Sequence, residues 1–391
     1  MKLLVPRQTE VSETRVSLTP AAVKKVSALG VEVLVEAGAG KGAHHADAAY
    51  ESAAAQILSD ASDAGWGTAD VVVTIRPPTA DQLSAMRRGA VLIGMLDPFR
   101  EFETVTAAAG KGLTSFSMEL LPRISRAQPM DVLSSQANIG GYMAAVVAAA
   151  SCPKMFPMMI TAAGTIAPSR VLVVGAGVAG LQAIATAKRL GAVVEAYDIR
   201  PEVEEQIQSL GARFVKLPAT QNDASTQGGY ARQQTDEERK QQAQLMAKHV
   251  ISADAVITTA AVFGKAPPML IPADVVAQKE PGSVIVDLAA DPITKRGNCE
   301  LTEPDTRITT PGGVVIEGPT NLPARVPVHS SHVYANNMVA FLELLIEDGS
   351  LKLDLEDEVQ RGPLLTHEGD VAHELVKKVL AEKAPTPATW Q

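Results

Sequence analysis

Ten residues, Val171-Leu-Val-Val-Gly175-Ala-Gly177-Val-Ala-Gly180, constrain this chain more than any other stretch. Four apolar residues predict a buried strand, and the glycines then open an Ala-rich helical pattern that reaches Gly191. The next strand, Ala192–Tyr197, ends at Asp198, eighteen residues after Gly180. Strand, glycine turn, helix, strand and acid in that order predict a dinucleotide site. Gly175 permits the tight turn, Gly177 lets backbone approach a pyrophosphate, and Gly180 allows close packing of helix on sheet. Val178 and Ala179 lie at the helix N-terminus, whose amides and partial positive charge favour phosphate. Asp198 accepts hydrogen bonds from ribose hydroxyls and repels a 2′-phosphate, which selects NAD(H) over NADP(H). Ile199 and Arg200 follow it on the adenine side. The plainer alternatives are a glycine turn in an empty Rossmann-like domain and a solvated surface role for Arg200.

At 391 residues the chain exceeds one average domain. Its 46% hydrophobic and 20% charged residues supply large cores and argue against disorder. Short apolar runs at Lys2–Val5, Val31–Glu36, Val71–Ile75 and Val91–Met95 predict strands, with helices at Pro20–Leu29 and Asp47–Asp60. A second series runs through Val171–Val174, Val193–Tyr197, Arg213–Leu217, Ala255–Thr259, Val284–Leu288 and Val314–Glu317. The expected architecture is α/β, two doubly wound Rossmann-like domains with parallel sheets, separated by a cleft. The first is discontinuous, residues 1–133 plus 325–391, and residues 134–324 form the NAD-binding domain. The uncharged stretch Val132–Pro153 carries Ser, Gln, Asn and paired glycines, so it reads as a buried interdomain helix rather than a membrane span. No secretory signal opens the chain, and its last eight residues read as a disordered end. A net charge of −9 without a basic cluster gives no nucleic-acid footprint. Two cysteines, Cys152 and Cys299, predict plain buried thiols in a reducing compartment.

The segment Pro122-Arg-Ile-Ser-Arg-Ala-Gln-Pro-Met-Asp-Val-Leu-Ser-Ser-Gln-Ala-Asn138 resembles a distinctive loop of the NAD(H)-binding component, domain I, of proton-translocating NAD(P) transhydrogenase. The likeness extends to Glu13-Thr-Arg15-Val, Thr161-Ala-Ala-Gly164-Thr, Asp198-Ile-Arg200-Pro-Glu, Gly228-Gly-Tyr230-Ala, Ile257-Thr-Thr-Ala260, Pro281–Ala289 and Gly297-Asn-Cys-Glu300. More distantly the chain is similar to alanine dehydrogenases. The resemblance implies that Arg123, Asp131 and Ser134 hold the nicotinamide end of NAD(H), while Gln128 reaches towards NADP(H) on a partner subunit. It adds Arg126, Gly229, Tyr230, Gln242 and Ala260 to the cofactor set, with Tyr230 on a mobile loop. It implies an NADP(H)-binding partner component, membrane-spanning proton-channel subunits and a homodimer. The expected place is the cytoplasm, peripheral to the cytoplasmic face of the inner membrane. Chemistry agrees: Arg123 and Ser134 can donate to a carboxamide oxygen and Asp131 can accept from its NH2. The alternative is that Arg123, Arg126 and Asp131 form surface ion pairs at a helix start. Pro218–Thr235 is long and polar enough for a lid, although Gln234 stands where the family often has Met.

Three function classes compete: a transhydrogenase component, an amino-acid dehydrogenase and a non-enzymatic NAD sensor or scaffold. Arg15 matches the arginine that grips the substrate carboxylate in alanine dehydrogenases. Arg76 and Asp97, however, stand at or near the places of that family's catalytic lysine and histidine. Amine oxidation needs an acid–base set, whereas hydride exchange between two nicotinamides moves no substrate proton. The first class is therefore preferred, with Arg15 expected to pair with an acidic neighbour. A sensor has no need to expose the nicotinamide to a second cofactor, as the 123–134 loop would. His44-His45 lacks ligands at metal spacing, and no metal is expected. Met155, Met158 and Met159 read as core or interdomain filler.

Overall fold

Strands along the chain are β1 (Lys2–Val5), β2 (Glu32–Glu36), β3 (Gln56–Leu58), β4 (Val71–Val73), β5 (Val91–Gly94), β6 (Thr114–Ser117), β7 (Met159–Thr161), β8 (Gly164–Ile166), β9 (Arg170–Val174) and β10 (Val193–Tyr197). They continue as β11 (Arg213–Phe214), β12 (Ala255–Thr258), β13 (Val284–Asp287), β14 (Arg307–Thr309), β15 (Val315–Glu317), β16 (Ile346–Glu347), β17 (Ser350–Leu351), β18 (Leu364–His367) and β19 (Asp370–Val371). The helices that carry site residues or their supports are α1 (Val132–Ser151), α2 (Val178–Arg189), α3 (Asp236–Ser252) and α4 (Pro327–Leu345). This computed structural model describes residues 1–59, 65–216, 236–261 and 266–383. The chain divides into two compact units, Met1–Gln136 with Pro323–Gln391, and Ala137–Leu322.

The first unit holds an eight-stranded sheet in the order β19-β18-β6-β5-β4-β1-β2-β3. Strands β1 to β6 are parallel, and β18 and β19 add an antiparallel edge. Alternation along each strand sends residues to two buried faces. Leu3, Val5, Val33, Val71 and Ile93 pack with Tyr334, Met338 and Phe341 of α4. Leu4, Leu34, Val72 and Leu92 pack with Trp66, Leu83 and Val105 on the opposite face. Phe116 meets Phe341 edge-on with centroids 5.3 Å apart, and burying each such ring stabilises the unit by roughly 1.5–3 kcal/mol. Sequence order reverses between β1 and β4, so their carboxyl ends frame this sheet's switch point.

In the second unit the order is β11-β10-β9-β12-β13-β15-β14, parallel except for β14. Val171 and Val173 face one core with Ile184 of α2, and Leu172 and Val174 face the other with Met246 and Val250 of α3. Here the reversal falls between β9 and β12. Both units are thus Rossmann-like α/β folds, as the sequence predicts; within the two large sheets antiparallel strands are confined to an edge, and β7–β8 and β16–β17 form separate antiparallel pairs.

Two local expectations need correction. The helix expected over Asp47–Asp60 stops at Glu51, because Ala54 takes φ +66° and the chain then enters β3. Met155, Met158 and Met159 are not core filler. They are 39%, 60% and 39% exposed, at and beside the antiparallel hairpin β7–β8. The lid expected over Pro218–Thr235, with Gly229, Tyr230 and Gln234, lies outside the described residues, as does the terminal segment from Ala384. Both cysteines are buried free thiols, and burial pushes the Cys299 thiol up to about 11.

Candidate functional site

In the second unit the glycine turn leaves β9 at the switch point. Gly175 sits at φ +100°, the left-handed region that favours glycine, and a Cβ there would press on Thr259. A Cβ at Gly180 would collide with the Gly175 carbonyl oxygen, which is why the helix packs so closely on the turn. A Cβ at Gly177 would meet nothing within 4 Å, so that glycine faces open space. No side chain caps α2 at Gly177, leaving the first amides of the helix, Val178 and Ala179 among them, without a side-chain acceptor there. An open glycine before an uncapped helix start fits a pyrophosphate.

Asp198, just beyond β10, is 8% exposed. Its Oδ2 accepts from the Ala176 amide at 2.7 Å and its Oδ1 from the Arg200 amide at 2.9 Å. Arg200 Nε and Nη2 donate to the same carboxylate at 3.0 Å each. Burial alone would raise the Asp198 pKa, but the guanidinium and the two amides outweigh it and hold it below the usual carboxylate range. Ile199 beside it is 78% exposed, an apolar side chain open at the strand end. Ala260, after β12, is clasped by buried Asn298, whose Oδ1 accepts from the Ala260 amide at 3.0 Å while Nδ2 donates to its carbonyl at 2.8 Å. Gln242 lies in α3. Sequence reasoning missed Asn298, which sits 38 residues from Ala260.

The other expected residues lie in the first unit. Asp131 caps α1: its Oδ1 accepts from the Ser134 amide at 2.9 Å and its Oδ2 from the Ser134 hydroxyl at 2.5 Å. The side chains of Arg123 and Gln128 are exposed and make no hydrogen bond or ion pair among the described residues. Arg126 pairs with Asp357, so for this residue the surface-pair alternative describes what is seen. The turn from Ser125 to Met130 is fastened to α4 by Asn337, which donates to the Pro129 carbonyl at 2.6 Å and accepts from Ser135 at 2.7 Å.

Arg15 is 3% exposed and fully engaged. Nη2 and Nε reach the two oxygens of Glu13 at 2.6 and 2.7 Å, and Nη1 donates to Gln136 at 2.8 Å. Burial would raise the Glu13 pKa, but Arg15 and then Arg76 reverse it and keep the carboxyl ionised. Arg76 Nε lies 3.3 Å from Glu13 and 3.6 Å from Glu10. The acidic neighbour expected for Arg15 is thus two residues away, a spacing that puts both side chains on one face of an extended chain. Asp97 stands at φ +43°, its amide held by Glu119 at 2.9 Å. Among the described residues no group of three or more His, Cys, Asp or Glu is placed to hold a metal, and no helix is long and apolar enough to cross a membrane.

Two family descriptions match this chain: Alanine dehydrogenase/PNT, N-terminal domain, over residues 4–140, and Alanine dehydrogenase/PNT, C-terminal domain, over residues 144–374. An NAD(P) transhydrogenase subunit alpha chain of Rhodospirillum rubrum is 45% identical over 381 residues, covering 95% of this chain and 98% of that protein. Alanine dehydrogenase of Mycobacterium tuberculosis is 29% identical over 402 residues, covering 100% and 99%. The crystal structure of transhydrogenase from Sinorhizobium meliloti superposes with a TM-score of 0.83 at 41% identity, covering 96% of this chain and 100% of that one.

Proposed function

The chain belongs to the alanine dehydrogenase/PNT family, and from that premise we propose that it is the NAD(H)-binding subunit of a proton-translocating transhydrogenase. The bound nicotinamide supplies or takes the hydride, exchanging it with NADP(H) on a partner subunit. Proton movement belongs to separate membrane-spanning subunits, and the chain works in the cytoplasm at the cytoplasmic face of the inner membrane through them. Asp198 takes the adenosine ribose, and the amides after Gly177 take the pyrophosphate. Arg123, Asp131 and Ser134 orient the carboxamide, and exposed Gln128 reaches towards the second cofactor.

The observation that favours this over an amino-acid dehydrogenase is the buried Glu13–Arg15 pair. The arginine that would grip a substrate carboxylate already holds the chain's own. Removing one partner of such a pair costs roughly 3–5 kcal/mol, so a free amino acid does not displace it. Arg76 and Asp97 supply no lysine or histidine for proton transfer. A homodimer is part of the reading, supported by the apolar side chains that the β7–β8 hairpin leaves open, Ile160 at 73% and Ile166 at 44% exposed.

The test mixes the purified chain with an NADP(H)-binding transhydrogenase component and follows NADH-dependent reduction of an NADP analogue. Gln128→Asn shortens the reach without changing charge and lowers the exchange rate more than NADH affinity. An unchanged rate would make the loop structural, and robust NADH formation from alanine and NAD would favour the dehydrogenase.

A further inference from the structure

Asp198 receives four N–H donors: the Ala176 amide, the Arg200 amide, and Arg200 Nε and Nη2, all between 2.7 and 3.0 Å. An ionised carboxylate offers about four lone-pair sites, so its accepting capacity is filled. A ribose diol brings two more O–H donors to the same oxygens. The two amides belong to the glycine turn and to the chain leaving β10, and neither can withdraw without dismantling the turn. The guanidinium sits on a flexible side chain that is 51% exposed, against 6% for Asp198. It alone can leave.

We propose that the Arg200 guanidinium and the ribose hydroxyls of the nucleotide compete for the same two acceptor sites on Asp198, making Arg200 a residue that sets nucleotide affinity by having to be displaced. This rests on the reading of Asp198 as the ribose ligand. It runs against the usual expectation for a cation beside a dinucleotide, namely that removing it weakens binding. The half-exposed pair is strong enough to keep Asp198 ionised and oriented, yet loose enough to open. Once displaced, the guanidinium is returned to water, where it is well solvated.

The discriminating experiment measures equilibrium binding of ADP and of 2′,3′-dideoxy-ADP to the full chain, with NADH alongside. Adenine and phosphates are common to the ADP pair, so attraction between Arg200 and phosphate cancels in the ratio of the two affinities. Arg200→Ala should raise the preference for ADP over the dideoxy compound about two- to fivefold, the range that a half-exposed ion pair is worth. That gain should shrink towards one as salt is raised to about 1 M, because screening weakens the pair in the wild type. An unchanged or lower ratio in Arg200→Ala overturns the proposal. Asp198→Asn separates the two failures. If it abolishes the ADP preference while Arg200→Ala gains nothing, the ribose reading stands and the competition is refuted. If it leaves the preference intact, the ribose reading falls and the competition with it.

Discussion

Asn337 carries no charge and matches no motif, yet its amide fastens the turn that bears Gln128. It donates to the Pro129 carbonyl and accepts from Ser135, with 8% of its surface exposed. Asn337→Leu strands the Pro129 carbonyl, whereas the Ser135 hydroxyl keeps the Val132 carbonyl at 3.2 Å, and a buried polar group left unpaired costs roughly 1–3 kcal/mol. The expected outcome is a lower urea midpoint at unchanged m-value, with hydride exchange falling further than NADH affinity. Retained exchange would mean that Pro129 is held without it. The residue scale is also where sequence reading divides most clearly. Gly175 and Gly180 were legible because their reasons are local: a positive φ and a helix packed on the turn a few residues on. Asn337 and Asn298 were not, because their partners lie 208 and 38 residues away and no spacing announces them. Glu13 was half legible, as the acidic neighbour expected for Arg15.

Among the elements, α3 ends on an unusual cap. Lys279, 4% exposed, donates from Nζ to the carbonyls of Val250 at 2.6 Å and Ala253 at 2.8 Å. Burial pushes its pKa down to about 8 from an ordinary 10.5. The folded chain therefore binds fewer protons than the unfolded chain between those values, and this group's contribution to stability rises with pH across that window. Wild type should gain roughly 1–3 kcal/mol over Lys279→Met between about pH 8 and 10 in chemical denaturation. A pH-independent gap would place the ammonium elsewhere. Strands β1, β2, β4, β5, β9, β10, β12, β13 and β15 were readable from apolar runs, because both faces of each parallel sheet are buried, whereas β6 is fully buried with a single apolar residue and offers no such run. The exposure of Met155, Met158 and Met159 was not legible, since Met looks alike in a core and on an exposed ribbon. The truncated helix at Glu51 was misread because alanine favours helix, and only tertiary context forces Ala54 to a positive φ.

For the whole molecule, two doubly wound sheets raise the question of how many dinucleotides one chain takes. The first sheet's switch point has no glycine turn: β1 runs out into Pro6-Arg7-Gln8. Gln8 accepts from the Arg76 amide at 3.0 Å and donates to Thr74 at 3.2 Å, so a side chain spans the place where a phosphate would need backbone. Calorimetric titration should return one NADH per chain, and a stoichiometry of two would put a second nucleotide on the first sheet. The sealed Glu13–Arg15 pair bears on how such chains diverge from one another. An acid placed two positions before an arginine closes a carboxylate receptor while keeping its cation matched, so the site is shut without a weaker fold. The way back is steeper, because reverting the acid strands a buried guanidinium until some small carboxylate from solution stands in for it.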